Sequence, residues 1–298
     1  MAAQERVIGV DVGGTKILSG LVGRDGRLER RREWPTPIQS QEALLGALER
    51  AVEELLGEGV AALGFGIPSR LEGRTGRAIG SVNIPLHDLD FRAWMERRFS
   101  LPVGVDNDAN AATFAEWRFG AGRGAETAVM LTLGTGVGAG FVLGGSLYRG
   151  WAEAGHMVVV HDGRPCACGG RGHLEAYCTG IAAGEAAQEL FGPAADAHRL
   201  VRLASEGDAE AREVLAGIGR ILGSGIGSLV NLFEAERAVI GGGFGAAAFS
   251  HLEGPALEVA RREALSPAAE VLRLVRAELG TAAGVIGAGL IAYEALAA

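Results

Sequence analysis

The segment VIGVDVGGTKILSGLV, residues 7–22, decides how the chain is read. A β-branched run at 6–10 enters DVGGTK, and a second apolar alternation follows at 17–22, which predicts a β-hairpin closed by a glycine turn. Laid without gaps on AVMLTLGTGVGAGFVL, residues 128–143, the segment puts Asp11 on Thr132 and Gly13 on Gly134, with an apolar strand on each side. Two phosphate-sized turns on similar hairpins imply two related half-structures facing one another. Chance matching in a glycine-rich chain is the alternative.

Outward from these hairpins, apolar residues at 44, 45, 48, 52, 55 and 56 predict an amphipathic helix over 41–56. Short apolar strands follow at 61–67 and 103–105, with helices at 91–99 and 109–119. Further on come Ala-rich helices at 180–190 and 208–233, a strand at 237–240 entering GGGFG, and a terminal helix from about 282 to 297. Strands interleaved with helices imply an α/β layer architecture. The domain boundary is set near 110–125 by the internal echo, giving a small domain of 1–115 plus the terminal helix at about 282–298, and a large domain of 116–281.

Composition bounds the class. Apolar residues make up 48% of the 298 and charged residues 21%, which excludes a disordered or fibrous chain and suits about two globular domains. A net charge of −8 argues against nucleic acid or an anionic membrane as the main partner, because both are gripped by basic surfaces. The one basic cluster, Arg30, Arg31 and Arg32, is bracketed by Glu29 and Glu33 and reads as a solvated stretch. No targeting segment is expected, since the apolar run at 7–10 is too short and ends in Asp11. The uncharged stretch 127–148 holds six glycines and three threonines and reads as two strands around a turn rather than a membrane span. Three cysteines clustered between 166 and 178 suit a metal better than a disulfide framework, and the protein is expected in the cytoplasm. Lys16 is the only lysine against 27 arginines, and asparagine occurs only at 83, 107, 110 and 231, a scarcity best explained by codon bias.

Three glycine clusters point to a nucleotide. In DVGGTK, Gly13 and Gly14 let backbone N–H groups approach an anion, Thr15 adds a hydroxyl and Lys16 a charge, and Asp11 can orient a metal-bound water. The glycines at 134, 136, 138 and 140 fall on the period of one strand face, left bare so that something can lie against it. Gly241 to Gly243 follow a strand and open a helix, a position suited to a base and ribose. Asp106, Asn107 and Asp108 stand between a strand and a helix; one aspartate there serves as N-cap, while the other can accept an alcohol proton as a γ-phosphoryl departs. Finally, His156, Cys166, Cys168 and His173 offer four N/S ligands within 18 residues, a closed tetrahedral zinc set, with Cys178 a rival if His173 points away.

In this order, DVGGTK, GFGIP at 64–68, DNDANAA at 106–112, LGTGVGAG at 133–140, AEAGH at 152–156 and CACGGRGHLE at 166–175 resemble the motifs of the ROK family of bacterial sugar kinases and repressors over nearly the whole chain. The resemblance implies a two-domain actin-like (ribonuclease H-like) α/β fold with sugar and nucleotide in the interdomain cleft. It implies that ATP with Mg²⁺ phosphorylates the 6-hydroxyl of a hexose, most simply glucose, and that Asp108 is the catalytic base. N-acetylmannosamine, fructose and allose are the alternative substrates; a sugar-responsive repressor is disfavoured because the first strand starts at Arg6, leaving no room for a helix-turn-helix. Gly66, Asn83, Asn107, Glu153, His156 and Glu175 would meet the sugar. Asp11, Gly13, Gly14, Thr15, Lys16, Thr132, Gly134, Thr135, Gly136, Gly242 and Gly243 would meet the nucleotide. His156 would serve both zinc and sugar, the zinc being structural, and the chain would assemble as a homodimer or homotetramer. Where the family usually carries a third cysteine this chain has His173, Ala152 replaces a common glycine, and NIPLHDLDF at 83–91 lacks the usual Pro-Gly-Trp.

Overall fold

The computed structural model describes residues 5–57, 59–73, 75–81 and 83–297. The chain divides into two compact units: Met1–Gly120 with Leu147–Trp151 and Thr281–Ala298, and Ala121–Ser146 with Ala152–Gly280. The division thus falls after Gly120, five residues beyond the expected 115, and the first unit takes in a short stretch from the middle of the chain.

In the first unit, β1 (Arg6–Val12), β2 (Lys16–Val22), β3 (Leu28–Pro35), β4 (Val60–Ile67) and β8 (Val103–Asn107) form one sheet in the order β3-β2-β1-β4-β8. The first three are antiparallel, whereas β4 and β8 run parallel to β1. A second, three-stranded sheet joins β5 (Arg70–Glu72), β6 (Arg77–Gly80) and β7 (His87–Leu89). Helices α1 (Gln41–Glu53) and α2 (Phe91–Phe99) cover one face of the main sheet, where Leu44, Leu48, Phe91 and Met95 bury against Ile8, Val10 and Phe65. Phe65 and Phe91 meet edge to face at 5.1 Å, so truncating either to alanine would cost about 3–5 kcal/mol. Helix α3 (Asp108–Phe119) and the C-terminal helix α9 (Ala283–Ala297) take the other face.

That second face is stripped to glycine where α9 crosses it. Gly9, Gly64 and Gly104 are directly paired neighbours on β1, β4 and β8. A Cβ on Gly64 would fall 1.8 Å from the Ala288 carbonyl oxygen, and one on Gly9 would fall 2.1 Å from that of Val285. The helix therefore lies backbone against sheet.

The basic stretch is solvated as expected, and it forms the edge strand β3. Its Arg and Glu side chains face solvent, and charge on an exposed edge deters pairing with another chain. The helix expected to reach 56 stops at Glu53, its last turn closing on Arg50 and Val52.

The second unit repeats the strand order with different helices. Its sheet runs β11-β10-β9-β12-β13, from β9 (Ala128–Leu133), β10 (Val137–Leu143), β11 (Ser146–Leu147), β12 (Arg237–Gly241) and β13 (Arg273–Arg276). As in the first unit, an antiparallel hairpin is extended by parallel strands. Helices α4 (Gly180–Phe191), α5 (Ala197–Glu206), α6 (Ala209–Phe233), α7 (Gly243–Glu263) and the short α8 (Ala268–Val271) complete it. Along α6, Gly219, Gly223 and Gly227 let α7 approach at Leu252, Ala256 and Ala260. Helix α6 and the stretch Gly280–Ala297 are long and apolar enough to cross a membrane, but 56% and 61% of them, respectively, is buried in the protein.

The gapless echo holds through the first strand of each hairpin and fails at the turn. In the first unit Val12 pairs with Ile17 across four residues, while in the second Leu133 pairs with Val137 across three. One residue fewer shifts the second strand so that aligned positions point to opposite faces.

Candidate active site

Parallel strands of the first unit end side by side, and their register sets Asp11 beside Gly66 and Gly66 beside Asp106. Asp106 and Asn107 at the end of β8 and Asp108 at the start of α3 then divide distinct tasks. Asn107, not an aspartate as expected, caps α3: its Oδ1 accepts from the N–H groups of Ala109 (2.9 Å) and Asn110 (3.3 Å). Its side-chain amide is left to donate elsewhere. Asp106 is buried, its Oδ1 accepting from the Asn107 N–H at 2.7 Å and Asn110 Nδ2 at 2.9 Å, its Oδ2 from Arg149 Nη1 at 2.5 Å. Asp108 opens α3 half-buried, with one oxygen accepting from the Ala109 N–H at 3.0 Å.

Gly66 is buried beneath this turn. A Cβ there would sit 3.5 Å from Asp108 Cα and 4.0 Å from an Asp11 carboxylate oxygen, so its bareness lets the two acidic segments converge. Asp11 feels the result: burial and then the Asp108 charge push its carboxyl up to about 7, against a smaller opposing pull from Lys16. Gly284 at the start of α9 also abuts it, since a Cβ there would fall 2.2 Å from Asp11 Oδ2. Sequence reasoning missed Gly284 because it lies 273 positions from Asp11 and in no motif.

The DVGGTK turn is closed by the Gly13 N–H donating to the Lys16 carbonyl at 2.9 Å. Thr36, also missed in the sequence, braces it, its hydroxyl donating to Gly13 O at 2.7 Å and its N–H to Thr15 O at 3.0 Å. Gly14 and Thr15 are exposed, and Asn83 lies against Gly14, its Cβ 3.5 Å from where a Gly14 Cβ would be. Lys16 lies 3.7 Å from Glu33 across two exposed side chains, a pairing worth less than about 1 kcal/mol.

In the second unit, Gly134 and Gly136 lie in the hairpin turn rather than on the strand face expected of them; Gly138 and Gly140 alone are on β10. The Gly134 N–H donates to Gly136 O at 2.9 Å, and Thr135 at the tip is exposed. Thr132 pairs with Gly241, so the end of β12 lies beside the same turn. Gly242 adopts φ +79, and a Cβ on it would fall 2.4 Å from Leu133 O, two independent reasons for glycine; Gly243, first residue of α7, faces open space.

Behind the turn stands the cysteine knuckle. Glu175 Oε2 accepts from the Val137 N–H at 2.9 Å, while its Oε1 accepts from Cys166 Sγ at 3.7 Å, so one carboxylate links knuckle to turn. Glu153 is exposed, its carbonyl accepting from the His156 N–H at 3.0 Å, and Gly155 is pressed against Val137 O. His156, Cys166, Cys168 and His173 bring one ligand atom each to within 4.8 Å of the others. Cys168 Sγ is 3.2 Å from His173 Nδ1, and Cys166 Sγ is 3.9 Å from His156 Nδ1. Ligands around a tetrahedral zinc stand about 3.3–3.8 Å apart, so two sulfurs and two imidazoles with this spacing fit the ion after a small contraction. Burial, with the neighbouring Cys168 and Glu175, holds the Cys166 thiol above its ordinary range. Cys178 is no rival: it is buried in the core, its thiol pushed up by burial, and points to Ile218 O.

Residues 7–295 match the ROK family. The chain belongs to the ROK family. A Streptomyces coelicolor glucokinase is 32% identical, the alignment covering 96% of this ROK chain and 97% of that protein. An Escherichia coli N-acetylmannosamine kinase is 34% identical over 96% and 97% of the two chains. Among solved structures, a ROK family glucokinase from Streptomyces griseus in complex with glucose and AMPPNP has a TM-score of 0.84 at 32% identity, covering 97% of this chain and 99% of its own. The fold of this ROK protein is accordingly the two-domain actin-like ATPase fold.

Proposed function

We propose that this chain, a ROK family sugar kinase, transfers the γ-phosphoryl group of ATP to the 6-hydroxyl of a hexose, with glucose as the preferred acceptor. The observation that carries the proposal is the convergence of Asp108 and Asp11 across Gly66 at the carboxyl ends of parallel strands, where α/β sheets bind ligands. Asp106 is committed to Arg149 and the turn; Asp108, at the start of α3 and across Gly66 from Asp11, is the carboxylate that takes the alcohol proton. Asn107, its oxygen engaged in the cap, turns its amide N–H groups to a sugar oxygen. Asn83, Glu153, His156 and Glu175 complete the sugar contacts.

The backbone N–H groups of Gly14 and Thr15 and those of Thr135 and Gly136 face the phosphates, and Gly243 leaves room for the nucleoside. Mg²⁺ carried by ATP supplies charge neutralisation. Asp11, whose ionised form burial disfavours, gains from such a cation and would aim its hydration shell. His156, Cys166, Cys168 and His173 would hold zinc in a structural role; a closed set of four ligands leaves no open position. With His156 Nδ1 on the metal side, Nε2 is free to meet the sugar, so metal binding fixes the ring's aim. Among the described residues all three cysteines are free thiols, as befits a cytoplasmic enzyme, and assembly as a homodimer or homotetramer is checked by light scattering.

The test is ADP release with MgATP across glucose, N-acetylmannosamine, fructose and allose. The proposal expects kcat/KM to be highest for glucose. A higher value for another sugar overturns the choice of substrate, and no stimulation by any sugar overturns the reaction.

A further inference from the structure

Leu147–Trp151 is a strap: it belongs to the first unit although the residues on either side of it, through Ser146 and from Ala152, belong to the second. Three anchors hold it within the first unit. Arg149 Nη1 donates to Asp106 Oδ2 at 2.5 Å, and Nη2 donates to Glu294 on α9. The same guanidinium lies over the Phe114 ring of α3, 5.8 Å from its centroid. Trp151 Nε1 donates to the Leu71 carbonyl of β5 at 2.9 Å.

We propose that Arg149 is a positioning residue for phosphoryl transfer, holding Asp106 so that the turn carrying Asn107 and Asp108 is fixed against the sheet. This rests on Asp108 being the base. The reasoning runs through Asp106. Its carboxylate is nearly buried, 9% exposed, and the Arg149 guanidinium lies within salt-bridge distance of it. Asp106 in turn accepts from the Asn107 N–H and from Asn110 Nδ2, fixing the residue before Asp108 and the first turn of α3. Loss of the guanidinium leaves a buried charge uncompensated, and the carboxylate reorients toward water at the expense of those two bonds. A displacement of the base by under an ångström is enough to slow a reaction that depends on near-attack geometry.

The experiment compares Arg149→Ala, Arg149→Lys, Asp106→Asn and the double variant Arg149→Ala/Asp106→Asn with wild type, measuring kcat and both KM values, with circular dichroism and Tm to confirm folding. Arg149→Ala should lower kcat by about 10- to 100-fold with KM for ATP within about twofold. Arg149→Lys should recover part of the loss, since an ammonium can hold one carboxylate but not the fork of two. The double variant should be no slower than the slower single one. A folded Arg149→Ala protein with kcat within twofold of wild type overturns the proposal, as do losses that multiply in the double variant. If Arg149→Ala does not fold, failure of the folded Arg149→Lys and Asp106→Asn proteins to lose kcat overturns it equally. Asp108→Asn, run alongside, separates the two ideas. Full activity there sinks the base assignment itself, whereas an inactive Asp108→Asn with a fully active Arg149→Ala sinks only the strap.

Discussion

At the scale of single residues, the site is organised by how three neighbouring side chains divide their partners. Asp106 is tied into Arg149 and the turn, Asn107 caps the helix, and Asp108, which accepts from the Ala109 N–H, is the proposed base. Replacing Asp108 by Asn keeps the shape but removes the proton acceptor, so kcat should fall about 10²- to 10⁴-fold with sugar binding retained, as calorimetry would show. Asp11 gives a pH signature. Its carboxyl ionises near 4 in the unfolded chain but at about 7 when folded, so between those values the folded protein holds a proton that the unfolded chain releases. Stability of the nucleotide-free protein should therefore decline as pH rises from about 4 to 7 and level off above. Melting curves at pH 5 and 8 for wild type and Asp11→Asn check this, the variant losing less stability over that range. The family resemblance already gave Asp108 the base's part, but sequence reasoning put the cap on an aspartate, because an Asp-Asn-Asp run offers three possible caps and only coordinates show that Asn107 Oδ1 meets the helix N–H groups. Cys178 is a similar case: proximity in sequence to the knuckle suggested a ligand, while its burial puts it in the core.

At the scale of elements, glycine marks close packing as often as it marks ligand sites. The bursts at 13–14, 134–136 and 242–243 form the turns that the sequence suggested, yet Gly9, Gly64 and Gly104 form a bare lane for α9 that no local pattern announced. They lie on three different strands, and only the register brings them together. Gly64→Ala must push α9 off the sheet and should cost about 3 kcal/mol or more, against a gain of about 0.5–1 kcal/mol for Gly46→Ala in α1, where a Cβ meets only the far end of Arg50. Urea unfolding of the two variants would separate these signs. The echo between the hairpins was readable in the first strands and misleading in the second. A turn one residue shorter shifts pairing by one place, and a gapless comparison cannot see that. The three-stranded sheet β5–β7 was also not expected, its strands being only three or four residues long and largely exposed.

At the scale of the whole molecule, the proposed function divides its chemistry between the units: the base and one phosphate turn in the first, the second phosphate turn and the four-ligand knuckle in the second. If the knuckle holds zinc, the Glu175 bridge passes its rigidity to the turn at Val137. Protein purified without chelator should contain one zinc per chain. Stripping that zinc should lower Tm and raise KM for ATP, both restored by adding zinc back; absence of zinc in the purified protein would refute the four-ligand site. The central claim, that Asp108 deprotonates a hexose for attack on ATP, is tested most directly by glucose-dependent ADP formation in wild type and Asp108→Asn under saturating MgATP. The account predicts rapid glucose-dependent turnover in wild type and a loss of at least about 10²-fold in a variant that still binds glucose. Equal turnover in the two proteins, or no response of wild type to glucose or any other hexose, would contradict it.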